Sequence, residues 1–419
     1  MFRFSPSAFD GAALLALTLT MACPNSASAE KLKVVYKFQG GDDGSDPEGQ
    51  LIRDGSGTLY GTTYEGGDGF GTIFKISPDG KETQLYKFQS GEDGANPEGS
   101  LVEDAAGNFY GTTFHGGGTG CNGYGCGVAF MLGTDGTESV LFTFDQEDSG
   151  AWPVGGVISD SSGNLYGTTG GGGANGWGTV FELSPSGKDG EPWIETVLYS
   201  FGWSDGAYPY GKLVMDPEGD FLGTTNSGGA NGVGVVFKLT KAGAESILYS
   251  FSGKGGSEPY SGVILDASGN LYGTTFIGGH ACAVRRRTGC GVIFELSAEG
   301  REKVLHAFTD GSDGGFPSFG NLVADTSGNL YGATEYGGSG EGCGHVTKRN
   351  AFEGCGVIFE KSAGHSEKIL HAFDANDGVE GPSAGLIMGS DSNLYGTTAG
   401  GNGAVFELRN DPRRLNWLP

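Results

Sequence analysis

The sequence predicts an all-β fold: a seven-bladed β-propeller with four antiparallel strands per blade, closed by the N-terminal strand joining the last blade. Three observations carry this expectation. A hexapeptide of the form NLYGTT occurs seven times, ending at Thr63, Thr113, Thr169, Thr225, Thr275, Thr334 and Thr398. Its anchor positions, Tyr60, Tyr110, Tyr166, Leu222, Tyr272, Tyr331 and Tyr395, are spaced by 50, 56, 56, 50, 59 and 64 residues. Each copy belongs to a set of four short apolar runs, and four strands in a unit of about 50 residues is the arithmetic of a propeller blade.

The runs justify themselves in order. The first reads GQLIRD at 49–54, and the second is the YGTT run. The third is VFEL-like, as at 72–76, 179–183 and 404–408. The fourth is VLYSF-like, as at 34–38, 84–88 and 369–373. All are short, rich in Val, Ile, Leu, Tyr and Phe, and bounded by turn residues, as strands are. No segment holds a helical period. The chain opens on a fourth-type run and ends on a third-type run. The last unit therefore lacks one strand, and the first strand of the chain supplies it, which removes the open edges.

The links fit as well. DxxGN between the first and second runs, and SPDG or SPSG between the third and fourth, are tight turns in which Asp accepts backbone N–H groups and Gly takes positive φ. These links share one face. The opposite face receives the connections that vary. We call the link from the second to the third run the crown loop, and the DGxxPxG link into the next first run the entry loop.

Composition bounds the rest. Gly supplies 83 of 419 residues, without a Gly-X-Y period, which excludes collagen. Arg3, an apolar run at 12–22 and Ala27-Ser28-Ala29 read as an export signal, so residues 1–29 are expected to be a signal peptide. Thr20-Met21-Ala22 fits a lipoprotein signal at Cys23 poorly. Residues 30–408 are then the propeller and 409–419 a short polar tail, with secretion or a periplasmic location expected. No stretch after the signal is apolar enough for a membrane helix. The net charge of −25 repels phosphate backbones, which argues against nucleic acid as a partner. A monomer is the expected state. Once Cys23 is set aside with the expected signal, the remaining six of seven cysteines fall as Cys121/Cys126, Cys282/Cys290 and Cys343/Cys355, each pair within one crown loop. An even count, local pairing and an exported chain predict three loop-stapling disulfides, whereas zinc would need ligands from different repeats.

The full unit, DxxGNLYGTT–GG–GxGxVFEL–LYSF–DGxxPxGxL, resembles the GloVer tandem repeat of exported bacterial proteins over nearly all of residues 31–408. That resemblance implies an exported repeat protein and assigns no molecular role. Many such relatives end in a sorting or anchoring segment, and this chain shows none. DxxGNLYG is also similar to turns of sensor, NHL and gluconolactonase-like propellers. The Gly-Gly pairs Gly66-Gly67 and Gly116-Gly117 are similar to those of kelch repeats. A sialidase-type Asp box and a copper constellation of the galactose oxidase kind are not seen.

Candidate site residues come from the two loop sets. The entry loops place Asp46, Glu48, Glu98, Glu258, Trp152, Tyr208, Tyr210, Tyr260, Phe316 and Phe319 around the expected channel mouth, with Trp177 and Trp203 joining from adjacent links. One arc is acidic and another aromatic. Aromatic faces stack on sugar rings while carboxylates bond hydroxyls, so a saccharide or similar extracellular polymer is the expected partner. The same residues also serve packing between blades. Paired carboxylates, here Glu98 and Glu258, are the minimum equipment for glycoside hydrolysis. His115, His280 and His345 lie in the three cysteine-bearing crown loops and are candidate acid–base groups. His306 and His371 replace the Tyr of the fourth run and read as structural. The repeated Asp-Gly of the entry loops invites calcium, but it lacks the alternating oxygen ligands of a dedicated loop, and turn geometry accounts for it. No other metal or cofactor is predicted. Two classes stay open: a binding or scaffold protein, and a glycoside hydrolase or polysaccharide lyase. The residues just past each YGTT run, among them Glu65, His115, Asn226, Ile277 and Glu335, vary most from copy to copy.

Overall fold

The computed structural model describes residues 32–187, 193–279, 282, 289–317, 319–340, 346–347, 350–351, 354–379 and 381–409. The expected signal peptide, and the tail beyond residue 409, lie outside them. The protein is a seven-bladed propeller. In the first blade Ile52–Arg53, Leu59–Thr63, Thr72–Ile76 and Glu82–Lys87 pair in chain order as an antiparallel sheet. The remaining blades repeat that order. The ring closes as the sequence predicts: Leu32–Lys37 pairs antiparallel with Ala404–Leu408, with Leu32 opposite Leu408. The sixth blade gains a fifth strand, because Gly315–Pro317 of its entry loop pairs with the long strand Leu330–Tyr336. Among the described residues no helix is long and apolar enough to cross a membrane.

Glycine in the YGTT strand has a specific cause. Gly61 pairs directly with Phe74, and a Cβ at Gly61 would stand 2.7 Å from that ring and 2.9 Å from Leu51. The same Gly–Phe pair recurs at Gly167 and Phe181, and at Gly396 and Phe406. These Phe rings are fully buried, each contributing about 1.5–3 kcal/mol of burial. They meet the Phe that ends the fourth strand edge-on, as in Phe38–Phe74 at 5.0 Å and Phe201–Phe237 at 5.0 Å. The third and fourth strands also share one bulge per blade, for example between Ile73 and Phe74 and between Val180 and Phe181. A bulge adds twist, which every blade of a ring requires equally.

The turn face is built on one bond. The Tyr60 hydroxyl donates to Asp54 at 3.2 Å, and Tyr166 to Asp160 at 3.0 Å, while each Asp accepts backbone N–H groups of its own turn. Blade four has Leu222 instead. There the Lys238 ammonium reaches Asp216 at 2.7 Å and Asp220 at 3.0 Å.

Two of the predicted disulfides are described in full, Cys121–Cys126 and Cys282–Cys290. Cys355 is disulfide-bonded as well, and Cys343 lies outside the described residues.

Candidate functional site

The entry loops share one strained backbone. The residue before their proline has positive φ in every blade: Asp46 (59°), Asn96 (57°), Trp152 (62°), Tyr208 (58°), Glu258 (54°), Phe316 (56°) and Gly381 (68°). Only the last is glycine, and the others hold a costly conformation because two crown loops clamp it. The N–H of Trp152 donates to Cys126 of the preceding blade at 2.9 Å, and its carbonyl accepts from Gly170 of its own blade at 2.8 Å. Tyr208 is held likewise by the Trp177 carbonyl and the Asn226 N–H, at 2.9 and 3.0 Å. The backbone is thus fixed by hydrogen bonds that ignore side-chain identity, and the side chains are free to vary.

The threonine that ends each YGTT strand sets where the crown loop begins. Thr113 donates to the His115 carbonyl at 2.7 Å and accepts the Val128 N–H at 3.1 Å, and Thr169 repeats this with Gly171 and Thr179.

The loops surround a cavity of about 570 Å³ at the channel mouth. One side is acidic. Asp46, Glu48, Glu98 and Glu335 line it. Burial raises the Glu48 carboxyl to about 7, helped by the charges of Asp46 and Glu65. Glu98 is raised to about 8 by burial, then by Glu48 and Asp46. Glu335 reaches about 8 through burial and the nearby Glu48. Asp46 is raised by burial and by Glu65. Like charges around a confined mouth cannot all ionise at neutral pH. Lys212 also lines the cavity, and burial lowers it to about 8.

The other side is aromatic and continuous. Tyr208 stacks on Tyr210 at 6.1 Å and 8°, and Tyr210 on Tyr260 at 5.8 Å and 4°. Tyr260 meets Phe319 edge-on at 4.9 Å, and Phe276 stacks on Phe319 at 6.1 Å. Trp177 extends the row, 5.4 Å from Tyr208 and 4.9 Å from Trp203. Trp203 and Phe319 are about half exposed, at 47% and 50%. Tyr210, Tyr260 and Phe319 line the cavity, and the Glu98 charge helps raise the Tyr210 phenol to about 12, after burial and the neighbouring tyrosines.

The predicted residues divide accordingly. Asp46, Glu48, Glu98, Tyr210, Tyr260 and Phe319 converge on the cavity. Glu258 is half-buried outside the cavity lining, so it does not join Glu98 there. Trp152 stacks behind the cavity residue Phe114 at 6.2 Å. Phe316 is fully buried between Phe276 and Tyr336 and packs rather than faces solvent. His115 does not line the cavity. It packs edge-on against Phe114 at 4.5 Å, its Nδ1 lies 3.3 Å from Asn96, and burial lowers its pKa. His280 and His345 lie outside the described residues. The Asp-Gly turns use their carboxylates internally: Asp43 accepts the Tyr36 hydroxyl and the Gln39 N–H, both at 2.8 Å. No motif in the sequence marks Glu335 or Lys212 as chemistry. Glu335 was visible as a variable residue past its strand, and Lys212 as a charge on a first strand where other blades carry Gly, Ser, Gln or Asn.

The family model described as the Gloeobacter/Verrucomicrobia repeat matches residues 24–125 and 119–347. The chain belongs to that family. The repeat unit read from sequence is thus the family's unit, and the mouth is built from its variable links. No curated protein matches the sequence. Among solved structures, a gluconolactonase from Xanthomonas campestris superposes with a TM-score of 0.42 at 16% identity, covering 72% of this chain and 85% of that one. A second structure named for the same activity gives 0.36 at 14% identity, covering 68% and 81%. Scores this low carry no argument about chemistry.

Proposed function

We propose that this family member is an exported propeller that binds a carbohydrate or similar extracellular polymer at the channel mouth. The observation that supports this reading is the pairing of a continuous aromatic row with a set of carboxyls around one cavity. Aromatic faces cover the apolar faces of a sugar ring, and carboxyls bond its hydroxyls. The disulfides support an oxidising compartment. A glycan array with wild type, Tyr210→Ala and Tyr260→Ala tests it. Binding should fall at least about tenfold in each variant, as expected for loss of a stacking anchor. Binding that both variants leave intact would sink the reading.

A second reading, a glycoside hydrolase or polysaccharide lyase at the same mouth, draws on Glu98, raised to about 8, and its neighbour Glu48, raised less, to about 7. A carboxyl that stays protonated near neutral pH is a general acid, and an ionised neighbour supplies the base or nucleophile. Release of reducing ends, lost by about 100-fold or more in Glu98→Gln, would favour it. Polymer bound but never cleaved would favour binding alone.

A further inference from the structure

The outer rim repeats a niche between neighbouring blades. In its full form it consists of a fourth-strand Tyr, an Asp from the entry loop, and a Glu at the start of the next blade's fourth strand; Phe142 stands for the Tyr before Glu195, and Tyr249 bonds Glu302 directly at 3.3 Å. Tyr36, Asp43 and Glu82 form one copy, and Tyr86, Asp93 and Glu138 the next, with each Tyr hydroxyl donating to its Asp at 2.8 and 3.0 Å. One Glu oxygen in these niches, Oε1 of Glu82, Glu138, Glu195, Glu245, Glu302 and Glu367, is buried without a partner.

One niche sets an imidazole against both an Asp and a Glu. Between blades five and six the phenol is replaced by the His306 imidazole. Its Nε2 lies 3.2 Å from Asp313 Oδ2 and 3.3 Å from Glu367 Oε2. One nitrogen carries at most one proton, yet two carboxylate oxygens face it. The Glu367 side chain is only 4% exposed, and its second oxygen has no partner. Lys361 approaches, but its ammonium is held by the Ser362 and His365 carbonyls. Phe308 fixes the imidazole edge-on at 4.8 Å, and the Thr309 N–H fixes Asp313 Oδ2 at 3.1 Å. Three ligand atoms of the kind zinc prefers lie within 4.8 Å of one another. The His306 separations of 3.2 and 3.3 Å match the edge of a tetrahedron with bonds of about 2.0–2.1 Å, which is about 3.3 Å.

The chain supplies its own control. His371 makes the same contact to Asp377 at 2.8 Å, but among the described residues no third ligand joins them. The position opposite the end of the third strand, Glu82 against Ile76 in blade one, is Leu32 against Leu408 at the closure. The tyrosine niches lack the imidazole, and a phenol that holds its proton is a poor ligand.

From this we infer that His306 Nε2, Asp313 Oδ2 and Glu367 Oε2 form a three-ligand site for a divalent transition metal of the zinc class, joining blades five and six. His306 and Asp313 retain some exposure, 21% and 19%, so the ion has a route in and a water can complete the shell.

The test uses the full chain, stripped with chelator and dialysed against Zn²⁺, with bound metal counted by elemental mass spectrometry. Wild type should bind one Zn²⁺ tightly, with Tm rising as Zn²⁺ is added. His306→Tyr places the residue that Tyr36, Tyr86, Tyr199 and Tyr249 supply in four other blades, so the fold tolerates it, and the affinity should fall by more than about 100-fold, beyond what loss of an outer-shell partner costs. Glu367→Gln should do the same. His371→Tyr should leave binding unchanged. Wild type that binds no Zn²⁺, or His306→Tyr and Glu367→Gln that bind as well as wild type, would overturn the assignment. Equal loss in His371→Tyr would overturn it too.

Discussion

The two faces of this ring use the same backbone repetition to opposite ends. On the turn face six blades repeat one device, a turn Asp and a Tyr hydroxyl that donates to it, and blade four substitutes the Lys238 ammonium. On the mouth face each blade repeats a backbone device, a left-handed residue clamped between two crown loops, and changes the side chain it presents. The turn face needs particular side chains because they make its bonds. The mouth face makes its bonds from N–H and C=O groups, so composition can drift from Asp and Glu to Trp, Tyr and Phe without altering the frame.

The largest effect should come from the shared frame beneath both faces. Gly167→Ala would place a Cβ 2.6 Å from the Phe181 ring and 2.8 Å from the Gly156 carbonyl. Overpacking of this kind costs about 1–3 kcal/mol, and at this closeness the upper end is expected. Urea unfolding measures it, and a neutral result would break the account of why the strand reads YGTT.

The mouth should carry the stronger pH signature. Glu48, Glu98 and Glu335 sit at about 7, 8 and 8 in the folded protein, above the ordinary 4.5. Raised folded values mean that the protonated forms favour the folded state. Their contribution is fully present below about pH 4.5 and is lost as pH rises through 7 and 8. Stability should therefore decline between pH 5 and 9. Glu98→Gln should recover roughly 1–2 kcal/mol at pH 9, a figure discounted for the open mouth. A decline of equal size in the variant would place the effect elsewhere, with Glu138, Glu195 and Glu245 of the rim, each raised to about 7, the next groups to test.

On the turn face, Lys238→Met leaves Asp216 buried, at 7% exposure, without its cation. A loss of about 1–2 kcal/mol is expected, since Lys238 itself is partly exposed. Leu222→Tyr in that background should restore part of it by supplying the hydroxyl the other blades use. The smallest effect is Tyr166→Phe, which removes the partly buried bond to Asp160 together with longer contacts to Glu182 and Asn164 and should cost about 0.5–1.5 kcal/mol in thermal unfolding. A loss no larger than that of an exposed control would show that the turns hold without the phenol.

Sequence alone determined the blade count, the strand order, the closure by the first strand, read at 34–38 and observed at Leu32–Lys37, and the local disulfides Cys121–Cys126 and Cys282–Cys290. Each follows from local information repeated at a fixed spacing: apolar runs, turn residues and cysteines close in the chain. It also placed the variable loops on one face, because alternating antiparallel strands send alternate links to opposite ends. Which side chains meet was decided by the tertiary structure. Glu48, Glu98 and Glu335 come from three different blades, one of them from a crown loop, and only the ring brings them to one cavity. Glu258 has the same loop position as Asp46 and stays outside the lining. Phe316 is swallowed by packing where Phe319, three residues on, stands half exposed. His306 and His371 look alike in sequence, and only the neighbouring blade, carrying Glu367 beside one and Leu32 beside the other, separates them. A repeat dictates its own blade, while the chemistry between blades depends on residues distant in the chain that only closure brings together.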